Sequence, residues 1–286
     1  MTVEQVSESA VYRPPPALLP FVERYVGYRY LGYEAGVHLG MPGRHLTVVI
    51  SFDAPLTLAM QPDGGSATDH LSMISGLHDR AVEIRHNGNQ HGIQLDVTPA
   101  GARALFGAPA QALVSTAVDI ADTWSGRTAA ELYERTAVAT SWTDRFAVLD
   151  ELLLRALSAH VPYPSSARIA ATATWQMLTA SGGTVRVADV ATELGWSRRH
   201  LTEQFTAEYG LPPKTMAGLL RLERTVSMLK RPGHARLGEV AAACGYADQA
   251  HMNRDWQRIV GRSPTAWLAA EQLPFVQDDD HPDAAG

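Results

Sequence analysis

The chain has 286 residues, 45% of them hydrophobic and 19% charged, with a net charge of −6 and a single cysteine. That is an ordinary globular composition, long enough for two domains, and it excludes an internal disulfide framework or a cysteine-rich zinc site. No apolar run approaches the ~18 residues of a membrane span, and the polar, acidic stretch Met1–Ala10 lacks a signal-peptide pattern, so a cytoplasmic protein with no membrane partner is expected.

The charge is unevenly placed. Residues 1–160 carry −6, residues 161–272 carry +4 and residues 273–286 carry −4. A basic block inside an acidic chain points to a nucleic-acid partner for that block.

In chain order, Arg13-Pro14-Pro15-Pro16 makes a stiff extended entry. Ala17–Val26 follows, with Leu18, Leu19, Phe21, Val22 and Tyr25 at helical spacing, and predicts a helix. Tyr28–Leu31 reads as a strand. Further strands are predicted at His45–Phe52, Leu56–Met60, Leu71–Ser75, Ala81–Arg85 and Gly92–Val97. Their separators are Asp53-Ala54-Pro55, Pro62-Asp63-Gly64-Gly65 and Asn87-Gly88-Asn89. Short strands at this spacing suggest a small sandwich or barrel. Thr98 then reads as a helix cap with Pro99 at the first helical position. Glu131–Thr140 and Trp142–His160 read as helices. The stripe Phe146, Leu149, Leu153 and Leu157 on the latter suits an internal core or contact with a second copy. Val161–Ser166 reads as a linker, and the acidic tail, with Asp278-Asp279-Asp280, as disordered.

Catalytic signatures are missing. Six histidines (His38, His45, His70, His78, His86 and His91) lie in the strand region, yet no His-x-His pair occurs, so neither metal nor cofactor is expected. There is no Gly-x-Gly-x-x-Gly, phosphate loop or Gly-x-Ser-x-Gly. Cys244 sits at a core position. Trp124, Tyr133 and Trp142 read as packing residues rather than the lining of a pocket.

The basic block contains an internal repeat. Ala191–Trp196 parallels Ala241–Tyr246, Phe205 parallels Trp256, and Gly210 with Pro213 parallels Gly261 with Pro264. The offset is 50 residues before the turn and 51 after it. Each copy reads as a helix, a turn at a glycine (Gly195, Gly245) and a second helix capped by Ser197 or Asp248. Leu201 and Phe205, and Met252 and Trp256, mark the inward faces of the second helices. Arg198, Arg199, Thr202 and Glu203 then point outward in the first copy, and Gln249, Ala250, Asn253 and Arg254 in the second. Such a unit lays its second helix in the DNA major groove, where arginine suits guanine and Gln or Asn suits adenine. Thr215–Lys230 reads as a connecting helix of ~24 Å, a spacer for two successive grooves ~34 Å apart. Ser197, Lys214, Arg258 and Arg262 are candidates for phosphate contact.

Residues 187–270 closely resemble the DNA-binding domain of AraC/XylS-type bacterial transcription regulators. The match rests on Leu194–Leu201 with Phe205, on Gly210 and Pro213, and on Arg221–Arg224. It continues through Glu239–Tyr246, Asp248-Gln249, Arg254, Gly261 and Pro264. The resemblance implies a seven-helix domain that binds promoter DNA, with base-reading positions at Arg199, Thr202, Glu203, Gln249, Ala250, Asn253 and Arg254. Glu203 and Asp255 depart from it, standing where a basic residue is usual. Glu203 would accept from a cytosine amino group or pair with Arg199, and Asp255 would repel phosphate. Tyr12–Pro14, Phe21–Glu23, Thr98–Gly101 and Leu105–Gly107 resemble, more weakly, the N-terminal domain of a subset of these regulators.

The expected architecture is α+β and multidomain. A cupin-like small β-barrel with flanking helices over 1–160 would sense or dimerise. An all-α domain with two helix-turn-helix units joined by a linker helix would fill 161–272, and a disordered tail 273–286. Expected partners are promoter DNA, RNA polymerase, a small-molecule effector at the N-terminal domain and a second copy. The competing functions are a cupin-type enzyme with a DNA-binding appendage and a partner-binding module with weakened DNA reading.

Overall fold

The computed structural model describes residues 5–59, 65–159, 166–231 and 236–270. Of the linker expected over Val161–Ser166, residues 161–165 lie outside the described residues, as does the acidic tail, and Ser166 begins a helix. The chain divides into two compact units. One comprises Met1–Gly40, His45–Leu77 and Val82–Tyr163, the other Met41–Arg44, His78–Ala81 and Pro164–Gly286. Among the described residues, no helix is long and apolar enough to cross a membrane.

The first unit contains strands β1 (Val6–Tyr12), β2 (Val22–Leu31), β3 (Gly36–Gly40), β4 (Leu46–Ser51), β5 (Leu56–Leu58), β6 (Thr68–His70), β7 (Ser72–Ser75), β8 (Val82–His86), β9 (Gln90–Val97) and β10 (Ala117–Asp119). Its helices are α1 (Pro99–Phe106), the single-turn α2 (Ile120–Thr123), α3 (Gly126–Val138) and α4 (Trp142–Ala159). The strands form a six-stranded sheet in the order β1-β2-β9-β4-β7-β10 and a four-stranded sheet in the order β3-β8-β5-β6. Val49 and Met73 of the larger sheet pack with Leu58 and Val82 of the smaller one and with Ala117. The β-rich, cupin-like architecture with flanking helices is therefore present, but as two sheets with open edges rather than a closed barrel.

The helix expected over Ala17–Val26 is absent. One turn, closed by the Leu18 amide on the Pro15 carbonyl and the Val22 amide on that of Leu18, is followed at once by β2. The misreading has a physical cause. β2 lies between β1 and β9, and Tyr25, Val26, Gly27 and Tyr28 are buried in succession. A strand covered on both faces loses the alternation that identifies strands in sequence. Its helix-side face is bound to α4, where Asp150 accepts from the hydroxyls of Tyr12 (2.8 Å) and Tyr25 (2.9 Å). Burial holds the Asp150 carboxyl above its usual range, against the opposing pull of those two hydrogen bonds.

The reading at Thr98 holds: its hydroxyl accepts from the Gly101 amide at the head of α1, with Pro99 in the first turn. Three residues of the α4 stripe are core: Phe146, Leu149 and Leu153 are buried on a helix that packs on α1 and α3, while Leu157 is half-buried. Trp124 donates to the Leu105 carbonyl at 2.7 Å and stacks on Phe106, while Trp142 donates to Glu8 at 2.7 Å. Both are packing residues.

The second unit holds seven helices among its described residues: α5 (Ser166–Ala180), α6 (Val187–Glu193), α7 (Arg198–Tyr209), α8 (Pro213–Lys230), α9 (Leu237–Ala243), α10 (Gln249–Val260) and α11 (Pro264–Ala270). α8 is the central strut, packing on α5, α7, α9 and α11.

Candidate nucleic-acid interface

The two repeat copies fold alike, with matching backbone hydrogen bonds through the turn. α6 and α9 each end with an amide (Leu194, Cys244) returning to the carbonyl four residues back (Val190, Val240). Gly195 and Gly245 follow with φ of 69° and 77°, a left-handed conformation that glycine adopts without steric cost. Next, the amides of Trp196 and Tyr246 close on the carbonyls of Ala191 (2.8 Å) and Ala241 (3.0 Å). α7 then opens on Ser197, whose hydroxyl accepts from the His200 amide, and α10 on Asp248, whose carboxylate accepts from that of His251. Both helices run 12 residues and stop at a left-handed glycine, Gly210 or Gly261. A proline, Pro213 or Pro264, starts the next helix. The extra residue of the second copy lies between Tyr246 and Asp248.

The inward faces explain the sequence pattern. Val190, Ala191 and Leu201 form one buried cluster, and Phe205 stacks with Trp175 of α5. In the second copy Val240, Ala241, Cys244, Met252 and Trp256 are fully buried, with Trp256 against Trp267 of α11. Cys244 is thus a core residue, its thiol 3.6 Å from the Met228 sulfur.

The outward residues occupy the first two turns of α7 and α10. Arg198, Arg199, Gln249, Ala250 and Arg254 are exposed, while Thr202 and Asn253 are half-buried. Arg199 is 89% exposed, and its Nε donates to Glu203 at 2.8 Å, one helical turn on. That pairing leaves the two terminal nitrogens of Arg199 as a forward-facing fork. Thr202 donates its hydroxyl to the Arg198 carbonyl. Asn253 is less ready: its side-chain oxygen is shielded and takes no hydrogen bond, so pairing both amide atoms with adenine requires the amide to turn. Among the phosphate candidates, Ser197, Lys214 and Arg258 are exposed and Arg262 is half-buried.

Asp255 does not stand out toward a phosphate as its charge suggested. It is 18% exposed, with one oxygen 3.6 Å from Arg221 and the other 3.5 Å from Arg258. Its charge is compensated on both sides, by a residue of α8 and by one on its own helix.

Two features escaped the sequence reading. Trp196 lies 4.4 Å from the His200 ring and Tyr246 lies 5.3 Å from that of His251, so an aromatic–histidine pair locks each turn to its second helix. The repeat offset already aligned both pairs and could have revealed them. The bridging role of Arg221 left no signal, because its partners lie on other helices. In the strand region, among the described residues, no group of three or more His, Cys, Asp or Glu side chains is placed to hold a metal. His45 pairs with Glu23, His70 with Asp119 and His91 with Asp53.

Residues 190–270 match the family model described as a helix-turn-helix domain. No curated protein sequence matches the chain. Among solved structures, an apo ToxT variant from Vibrio cholerae superposes with a TM-score of 0.52 at 10% identity, covering 90% of this chain and 99% of that one. Wild-type ToxT from the same organism with an unsaturated fatty acid bound gives 0.47 at 11% identity, over 93% and 96%. The C-terminal domain of AraT, a response regulator from Geobacillus stearothermophilus, gives 0.35 at 18%, over 41% and 98%. At such identities the likeness is one of fold. Residues 190–270 thus form a helix-turn-helix domain, in sequence as in structure.

Proposed function

We propose that this chain is a sequence-specific transcription regulator that reads two successive major grooves of promoter DNA, one with α7 and one with α10. The observation that carries the reading is the duplicated geometry: two capped helices of equal length in one compact unit, each presenting outward residues over its first two turns. Recognition helices use their N-terminal residues to reach base edges. α8 spans 18 residues, or ~27 Å, which suits a rigid spacer between neighbouring grooves.

Roles follow from side-chain chemistry. Arg199 and Arg254 suit guanine O6 and N7, while Gln249 and Asn253 suit adenine. Arg198, Thr202 and Ala250 border them. Glu203 holds Arg199 in place rather than reading a base itself. Ser197, Lys214, Arg258 and Arg262 set register on phosphates, contacts that position without specifying. The N-terminal unit is the regulatory module. An effector or a second copy bound there shifts the population of the DNA-competent form, and RNA polymerase is the downstream partner.

Anisotropy titrations of the full chain against promoter fragments test this reading. Arg199→Ala and Arg254→Ala should each cost about 1–3 kcal/mol on a preferred site and relax specificity at one position, while leaving scrambled DNA nearly unaffected. Unchanged affinity in both variants would overturn the assignment of these helices to base reading.

A further inference from the structure

Two recognition helices on one chain act together only at the separation and angle the protein imposes on them. One side chain ties both units to the same point of α8. Arg221 donates from Nη1 to the carbonyl of Gly183 at 2.9 Å, and Gly183 belongs to the loop that leads into α6. Its Nη2 lies 3.6 Å from Asp255 on α10. Its guanidinium carbon stands 5.3 Å from the centre of the Tyr246 ring, in the turn of the second unit. Arg221 therefore reaches the entry of the first helix-turn-helix, the turn of the second and the second recognition helix.

The backbone around this residue is closely fitted. Gly183 has φ +76°, and a Cβ there would meet the Ala217 carbonyl of α8. Gly245 has φ +77°, and a Cβ there would meet the Thr184 side chain of the same loop and approach the Arg221 stem. So the loop before the first unit and the turn of the second pack against each other over Arg221. Asp255 is also held by Arg258 at 3.5 Å, and the His251 ring stands 4.0 Å away.

We infer that Arg221 and Asp255 are positioning residues that fix the relative placement of α7 and α10, and with it the half-site spacing this chain accepts. The inference rests on the DNA-reading function proposed above. It also explains an acidic residue on a DNA-facing helix: Asp255 is spent on the brace, and its partners cancel its charge. Lysine is a poor substitute for Arg221, because the two contacts are made by two different guanidinium nitrogens, Nη1 to the Gly183 carbonyl and Nη2 toward Asp255, where lysine has a single ammonium.

The test uses the full chain with spin labels at Thr192→Cys in α6 and Ala243→Cys in α9, both exposed positions, while Cys244 is fully buried. Label-to-label distances are measured in this reference protein and after Asp255→Asn or Arg221→Lys, with helicity checked by circular dichroism. The reference should give one narrow distribution, and each substitution should broaden it about twofold while helicity is kept. In parallel, a site selected by the reference is rebuilt with one base pair added to or removed from its spacer. The reference should lose ~10-fold or more in affinity, and Asp255→Asn less than ~3-fold with base preferences intact. A distribution that stays narrow in both variants overturns the brace. A reference protein without any sequence or spacing preference overturns the spacing claim through the underlying DNA-reading function, and that failure is visible before any substitution is made.

Discussion

Glu203 puts a negative charge on the helix proposed to read DNA, and its meaning turns on one contact. Its 2.8 Å bond to Arg199 Nε is an exposed ion pair, which solvent screens in the free protein. In the proposed base reading, the same bond orients the arginine before it meets a guanine. Glu203→Gln should therefore weaken the guanine preference at one position by ~1 kcal/mol and, with one negative charge fewer, slightly tighten binding to random DNA. A shift of preference at a cytosine instead would identify Glu203 as a base reader. In the N-terminal unit, His38 lies against His86, with ring centroids 5.8 Å apart. Burial, reinforced by the His86 charge, pushes His38 down to about 4, and burial lowers His86 as well. Above pH ~6.5 these histidines are neutral whether folded or unfolded. Between ~6.5 and 4 the unfolded chain takes up protons that the folded chain refuses, so stability falls as pH falls. The first thermal transition should move down from pH 7 to pH 5, and His38→Gln should flatten that slope; an unchanged slope would assign the pH dependence elsewhere. At this scale the sequence was readable where the partner is local. Ser197 and Asp248 cap as read, and Glu203 pairs within its own helix. Asp255 was misjudged because Arg221, one of its two neutralising partners, sits on another helix.

Among the elements, the two turns differ in one testable respect. Gly195 and Gly245 share a left-handed backbone, but a Cβ at Gly195 enters open space, whereas one at Gly245 meets Thr184. Gly195→Ala should cost about 1–2 kcal/mol, the intrinsic left-handed penalty. Gly245→Ala should cost more, and denaturant melts of the two variants will rank them; equal losses would argue against a tight joint at the second turn. The repeat was legible because each copy is local: cap, glycine, proline and an inward stripe at helical spacing all fall within about two dozen residues. β2 was not legible, because burial on both faces erased its period. β1, β3, β6 and β10 were missed; each lies at a sheet edge, where burial imprints little pattern.

For the whole molecule, the net charge of −6 conceals a basic block over residues 161–272, the part proposed to meet DNA. Its phosphate contacts should appear in the salt dependence. Lys214→Ala, Arg258→Ala and Arg262→Ala should weaken binding uniformly across sequences, and each should reduce the log–log salt slope by ~1. A variant that instead changes sequence preference would be a base reader and not a phosphate contact. The central claim is that one chain carries two unlike readers at a fixed spacing. It is tested most directly by selecting bound duplexes from a random library with the full chain and sequencing them. The expected result is a bipartite site whose two half-sites differ in sequence and lie about one helical turn, 10–10.5 base pairs, apart. Enrichment of a single short element, or of no sequence at all, would contradict it.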